Sequence, residues 1–155
     1  MLQRIQSVYL ALIVLIFGAL FFMPFAQVVS AETTYQFNAF GIKMTDGSYL
    51  RTAYYVLAAV VIVMIYNIVI LAYFKNRVMQ IKLAKLNGIV LAMIIGLVVL
   101  SVDHMATGLL IAETEPTVEY GLGTYLLFLP LILNYLAIKA IRKDEELVRS
   151  ADRLR

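Results

Sequence analysis

The sequence predicts an all-α membrane fold: a bundle of four transmembrane helices, a small outer β-hairpin or ribbon, and a cytoplasmic C-terminal helical tail. Three observations predict it. Of 155 residues, 63% are hydrophobic and only 15% are charged, against roughly 45–50% and about 25% in soluble domains. A soluble core could not absorb that excess, and the surface would be left with large apolar patches. The apolar residues fall in four long blocks, each near the ~20 residues a helix needs to cross a bilayer. Finally, the basic residues gather in alternate connections between the blocks, the pattern that orients membrane helices.

The first block, 5–25, reads "IQSVYLALIVLIFGALFFMPF", and the second, 54–74, reads "YYVLAAVVIVMIYNIVILAYF". The third is taken from Leu86 to Asp103, its cleanest part being "GIVLAMIIGLVVLSV". The fourth, 121–141, is "GLGTYLLFLPLILNYLAIKAI". All of 1–155 is thus expected to form a single integral membrane domain.

Arg4 precedes the first block; Lys75, Arg77, Lys82 and Lys85 lie between the second and third; Lys139, Arg142, Lys143, Arg149, Arg153 and Arg155 lie at or beyond the end of the fourth. These are eleven of the thirteen basic residues, so both termini are expected in the cytoplasm. The opposite side holds Lys43 and Arg51 with most of the acids. Topology accounts for the net charge of +3, and no nucleic-acid partner is expected. An alternative for the first block is a cleaved signal peptide, since "VSA" before Glu32 resembles a cleavage site. The apolar run is long for a signal core, and a retained helix is expected.

Between the first two blocks, alternation at 33–37 and 42–45, with Asn38, Gly41 and Asp46-Gly47 as turn residues, predicts an outer ribbon over about 30–50. The acidic segment before the fourth block contains "TVEY", which suits one further strand. Tyr54, Tyr55, Tyr120 and Tyr125 mark the outer border, and Tyr9, Tyr73 and Phe74 the inner one, as aromatic belts do.

Within the third block Ala84, Gly88, Ala92 and Gly96 recur every four residues, a stripe for close helix packing within the chain. Asn67 and Asn134 each sit thirteen residues into an outside-to-inside span, so both lie ~20 Å below the outer boundary. Neither amide would find a partner in lipid, and a shared interior polar layer is expected. Pro130 should bend the fourth span.

No span carries an acid, lysine or arginine near its midplane, which weighs against ion-coupled transport. Asp103 and His104 form an outer-boundary polar pair, the first place to look for chemistry, although one histidine is a weak metal signal. With no cysteine, thiolate catalysis and Cys-ligated metals are excluded. No metal, cofactor or catalytic residue is expected, and the chain is read as a non-enzyme.

The last thirteen residues, "KDEELVRSADRLR", carry eight charges. They are read as a helical extension of the fourth span, with Arg142–Glu146 and Glu145–Arg149 pairs and a thin apolar stripe of Ile141, Val148, Ala151 and Leu154. Arg142, Lys143, Glu145, Glu146, Arg149, Asp152 and Arg153 are the candidate docking residues of this tail.

The segments "MLQRIQSVYLAL", "KNRVMQIKLAKLN", "EYGLGTYL" and above all "AIKAIRKDEELVRSADRLR" resemble one family along essentially the whole chain. It is the Bacteroidetes family of small four-helix inner-membrane proteins, a domain of unknown function. The resemblance implies a four-span bundle in a bacterial inner membrane and transfers no functional residue. The function expected is a non-enzymatic subunit, assembly factor or regulator in the bilayer, contacting other membrane proteins or itself through the tail and the outer ribbon. The alternative is a small oligomeric transporter or binder of a hydrophobic molecule.

Overall fold

The computed structural model describes residues 5–29, 34–110 and 117–153, with the side chains of 75, 108–110, 148–149 and 151–153 outside that description. In chain order the elements are α1 (Ile5–Ala19), β1 (Ala26–Val29), β2 (Thr34–Asn38), β3 (Gly41–Met44), β4 (Tyr49–Thr52), α2 (Tyr54–Ala72), a 3₁₀ turn (Tyr73–Lys75), α3 (Arg77–Leu110), β5 (Thr117–Tyr120), α4 (Leu122–Leu126) and α5 (Leu129–Arg153). The chain is mostly helical, with a small antiparallel sheet. Helix α1 packs on α2 and α5, and α3 packs on the same two, so four helices stand in a ring. Leu10, Ile13, Phe17, Val60, Leu91 and Val98 fill its interior.

Among the described residues three helical stretches are long and apolar enough to cross a membrane: Tyr54–Ala72, Arg77–Thr107 and Leu122–Leu147. The first helix is shorter than its apolar block, which was expected to be helical through Phe25. It has 15 described residues and stops at Ala19. Leu20 N–H still donates to Ile16 O, and Phe22 N–H to Ala19 O, both at 3.0 Å, closing a last turn. Pro24 then ends any continuation, because it has no N–H and disfavours helix in the residue before it. Phe25 N–H instead donates to Phe37 O at 2.7 Å, and the two rings lie 5.9 Å apart between centroids. One apolar run therefore supplies a helix, a turn and a strand.

The outer ribbon is larger than the hairpin expected over 30–50. It is a five-stranded antiparallel sheet in the order β4-β3-β2-β1-β5. Strands β1 and β4 are the additions. β1 is an interior strand, with Val28 opposite Tyr35 on one side and Val118 on the other. The expected "VSA" site, 29–31, begins on the last residue of this strand, and the bond before Glu32 lies outside the described residues. Cleavage there would remove a strand bonded on both edges. The "TVEY" strand forms as expected and pairs with β1. Val28, Tyr35 and Phe37 are buried while Gln36 is exposed, the period-2 pattern of a sheet packed on one face.

Two turns have the chemistry expected of them. Asn38 Oδ1 accepts from Phe40 N–H and Gly41 N–H, each at 3.0 Å, which closes the β2–β3 turn. Gly41 has φ +145°, and a Cβ there would run into the Arg51 carbonyl oxygen and come within 2.8 Å of Thr52 Cα. The β3–β4 turn is held by Asp46, whose Oδ1 accepts from Ser48 Oγ at 2.6 Å and Ser48 N–H at 2.9 Å. These bonds, the side-chain one first, favour the carboxylate and pull its pKa below the ordinary aspartate value.

The "EYGLGTYL" segment joins the sheet to the helices. Gly121 N–H donates to Phe25 O at 2.8 Å, Gly123 N–H to Pro24 O at 3.0 Å, and Thr124 Oγ to Phe25 O at 2.6 Å. A Cβ at Gly121 would collide with the Pro24 carbonyl oxygen, and one at Gly123 would lie 2.7 Å from it. Two glycines thus let the start of the last helical stretch lie against Pro24 and Phe25, the link from α1 to β1.

The basic segment before the third block is helix rather than loop. Asn76 caps α3, its Oδ1 accepting from Met79 N–H at 3.1 Å. Lys82 and Lys85 therefore lie on the first turns of a helix of 34 residues, which at ~1.5 Å per residue exceeds the ~30 Å hydrocarbon layer. The fourth block divides at Leu127–Phe128, just before Pro130. There Phe128 N–H bonds to Tyr125 O and Leu131 N–H to Phe128 O, both tight three-residue links at 3.2 Å. Beyond this break α5 is continuous from Leu129 through Arg153, so the charged tail and the apolar span are one helix.

Candidate functional site

The interior of the ring holds amides. Asn67 of α2, Asn87 of α3 and Asn134 of α5 are all buried. Asn87 stands between the other two. Its Nδ2 donates to Asn67 Oδ1 and to Asn134 Oδ1, both at 3.0 Å, and its Oδ1 accepts from Asn67 Nδ2 at 3.3 Å. Asn67 Nδ2 also reaches Val63 O at 2.9 Å, and Asn134 Nδ2 reaches Ala84 O at 3.0 Å. Asn67 and Asn134 thus share one layer, bridged by a residue that sequence reasoning left at the very start of the third span and gave no role. The signal for Asn87 was Asn76: a helix capped there carries position 87 inside.

Two more amides lie in the interior, also missed from sequence. Gln80 is fully buried, with Nε2 donating to Ile70 O at 3.1 Å and Oε1 unpartnered. Gln6 of α1 is 1% exposed and its Nε2 has no partner. Long apolar side chains also cover the outside: Ile62, Ile89, Met93, Leu100 and Ile132 are all more than half exposed.

The small-residue stripe does not keep to one packed face. Ala84 is buried, and a Cβ on Gly88 would lie 3.4 Å from Asn134 Nδ2. Ala92 and Gly96 are exposed, with nothing within 4 Å of a Cβ built on Gly96. Four residues advance a helix by more than one turn, so the stripe winds away from α5 as it climbs.

At the sheet end of the ring a groove of about 640 Å³ opens between the sheet and α2 and α3. Its apolar wall includes Phe37, Ile42, Leu50 and Met105, and its polar rim includes Arg51 of β4 and His104 of α3. Neighbouring residues on a helix point ~100° apart, and of the expected Asp103–His104 pair only His104 lines the groove. Both residues are exposed, and Thr107 Oγ donates to the Asp103 carbonyl at 2.9 Å. Among the described residues no group of three or more His, Asp or Glu could hold a metal ion. This is a recess with a cationic rim, without an acid–base constellation.

At the end of the ring away from the sheet the tail is tied down. Arg77 Nη2 lies 3.2 Å from Asp144 Oδ2, and Arg77 Nη1 donates to Asp144 O at 3.3 Å. Of the candidate tail residues, Arg142, Lys143 and Glu146 are exposed and Glu145 is half-buried. The side chains of Arg149, Asp152 and Arg153 lie outside the described residues, as do those of Val148, Ala151 and Leu154 from the apolar stripe; Ile141 is buried.

A model of the family described as Domain of unknown function (DUF4293) matches residues 2–154. The chain belongs to this family. The DUF4293 match takes in the amide layer, the sheet and the tail alike, and its description gives no residue a role. No curated protein and no solved structure matches the chain.

Proposed function

We propose that this chain is a four-pass protein of a bacterial inner membrane, with both termini on the cytoplasmic side. In this reading it serves as a non-enzymatic subunit, assembly factor or regulator of other membrane proteins. The observation that carries the membrane reading is the partition of side chains: an amide layer of Asn67, Asn87 and Asn134 within an apolar interior, and an outer face that is apolar too, with Met93 and Leu100 each 69% exposed. In water that arrangement costs on both counts; in lipid each group is where its solvation is best. Helix α1 then crosses as the fourth span, with its outer end completed by the turn and sheet.

The partner role draws on what lies beyond the bilayer. The sheet forms a cap on the outer side, and α5 runs on as a rigid arm whose base is held by Arg77. Arg142, Lys143 and Glu146 face solvent at the start of that arm. The test is in-membrane crosslinking of the full-length chain against Arg142→Glu with Lys143→Glu, which leaves Asp144 and its tie intact. Partners lost on charge reversal support the reading; identical partners with both chains overturn it. The second reading, a binder of a hydrophobic molecule, is favoured by one observation, the outer groove.

A further inference from the structure

We infer that the groove between the sheet and the outer ends of α2 and α3 binds an anionic phospholipid, its phosphate on Arg51 and His104 and an acyl chain along the apolar wall. The inference rests on the membrane reading above. At about 640 Å³ the groove is within the ~300–1,000 Å³ typical of small-molecule sites. Its composition is that of an amphiphile site: Phe37, Ile42, Leu50 and Met105 offer apolar contact, while Arg51 and His104 supply cationic and imidazole groups beside the Tyr55 phenol, with no carboxylate among the described lining residues. A guanidinium presents a planar fork that matches phosphate oxygens, and imidazole adds a further donor.

The position of the groove selects the source of the phosphate. It lies where α2 begins and α3 nears its outer end, beside Tyr55, and Tyr54 and Tyr55 are 70% and 53% exposed there. Tyrosines at that level mark the headgroup layer. Arg51 is held in place through its backbone: it pairs with Ile42, and Gly41 packs against its carbonyl. Its side chain therefore starts from a fixed point at the rim rather than from a loose loop.

The chain has no tryptophan, so a single introduced one is a unique fluorophore. Full-length Leu50→Trp, at the groove, and Ile132→Trp, on the outer face of α5, are reconstituted in phosphatidylcholine vesicles. Each is quenched with brominated phosphatidylglycerol or brominated phosphatidylcholine as a minor component. The ratio of the two quenching efficiencies reports local lipid preference and cancels depth.

At Leu50→Trp the preference for phosphatidylglycerol is expected to be about fivefold, the equivalent of one well-placed cation near the surface, and near unity at Ile132→Trp. Adding Arg51→Ala with His104→Ala should bring the first ratio down to the second, and inorganic phosphate should leave both unchanged. Equal ratios at the two positions, or a ratio at Leu50→Trp that survives the double substitution, would overturn the site. Collapse with inorganic phosphate would make it an ion site and also overturn the lipid assignment. Failure of the unsubstituted chain to float with the vesicles would instead strike the membrane reading itself.

Discussion

Asn87 and Asn134 join α3 to α5 through a 3.0 Å hydrogen bond, and Arg77 and Asp144 join the same helices ten residues further along each, at 77 against 87 and 144 against 134. The antiparallel register is therefore the same at two ties ~15 Å apart. One tie is neutral and buried among the helices. The other is ionic and half-exposed at the inner end, with side-chain exposures of 20% and 35%.

Asn87 is the amide with partners on two other helices, so its loss should cost most. Asn87→Ala removes bonds to both Asn67 and Asn134, and is expected to destabilise the fold by about 1–2 kcal/mol. Asn67→Ala should cost less, because it leaves the bond from Asn87 to Asn134 in place. Reversible unfolding in mixed micelles measures both. Double-mutant cycles should show Asn87 coupled to each of the others, and Asn67 and Asn134 uncoupled from one another.

The inner tie should govern where the tail points more than whether the protein folds. A partly exposed ion pair contributes only about 0–1 kcal/mol, so Asp144→Asn is expected to change stability little. Arg77→Ala should do more, since Arg77 also donates to the Asp144 carbonyl. Distances between spin labels on the exposed positions Lys85 and Ser150 should be narrowly distributed in the parent and broader in Arg77→Ala. An equally narrow distribution in both would show that the arm needs no tie.

Glycine substitutions should separate by what surrounds them. Gly121→Ala drives a methyl into the Pro24 carbonyl oxygen, and Gly123→Ala brings one within 2.7 Å of it. Backbone must move in either case, at a cost of roughly 1–3 kcal/mol. Gly96→Ala meets nothing within 4 Å on an exposed helix face, and is expected to be neutral or stabilising by up to ~1 kcal/mol. Thermal shift in detergent distinguishes them, and a Gly121→Ala protein as stable as the parent would refute the close approach.

How much of this was legible in the sequence depended on whether the solvent or a distant partner made the decision. Spans two and three, the break at Pro130 and the turns at Asn38 and Asp46-Gly47 follow from composition and local chemistry. The end of α1 does not. "LFFMPFAQVV" is apolar but for Gln27, and such a run cannot be divided into helix and strand by periodicity. What makes 26–29 a strand is the presence of β2 and β5 on either side, and β5 lies ninety residues away. Asn87 was missed for a local reason: with the third span started at Leu86 it sat at the very end of the helix, whereas the cap at Asn76 places it about three turns inside. The groove at Arg51 and His104 joins residues from the sheet and α3, and no spacing in the sequence signals it.

The β3–β4 turn should loosen with acid. Hydrogen bonds from Ser48 lower the folded-state pKa of Asp46. The stabilisation is therefore complete above the unfolded aspartate value and is lost as pH falls through the depressed folded value. Following the Ser48 amide by NMR during acid titration should give a midpoint below that of an ordinary aspartate. In Ser48→Ala the midpoint should rise, because the side-chain donor is the largest cause of the shift.

Orientation in the bilayer tests the central claim most directly. The chain contains no cysteine, so single substitutions can be labelled without background. Tyr49→Cys lies on the sheet and Arg142→Cys at the inner end of α5, both at exposed positions. In intact spheroplasts a membrane-impermeant maleimide should label Tyr49→Cys at once and Arg142→Cys only after lysis. Labelling of Arg142→Cys in sealed cells, or of both positions to the same extent, would contradict the account.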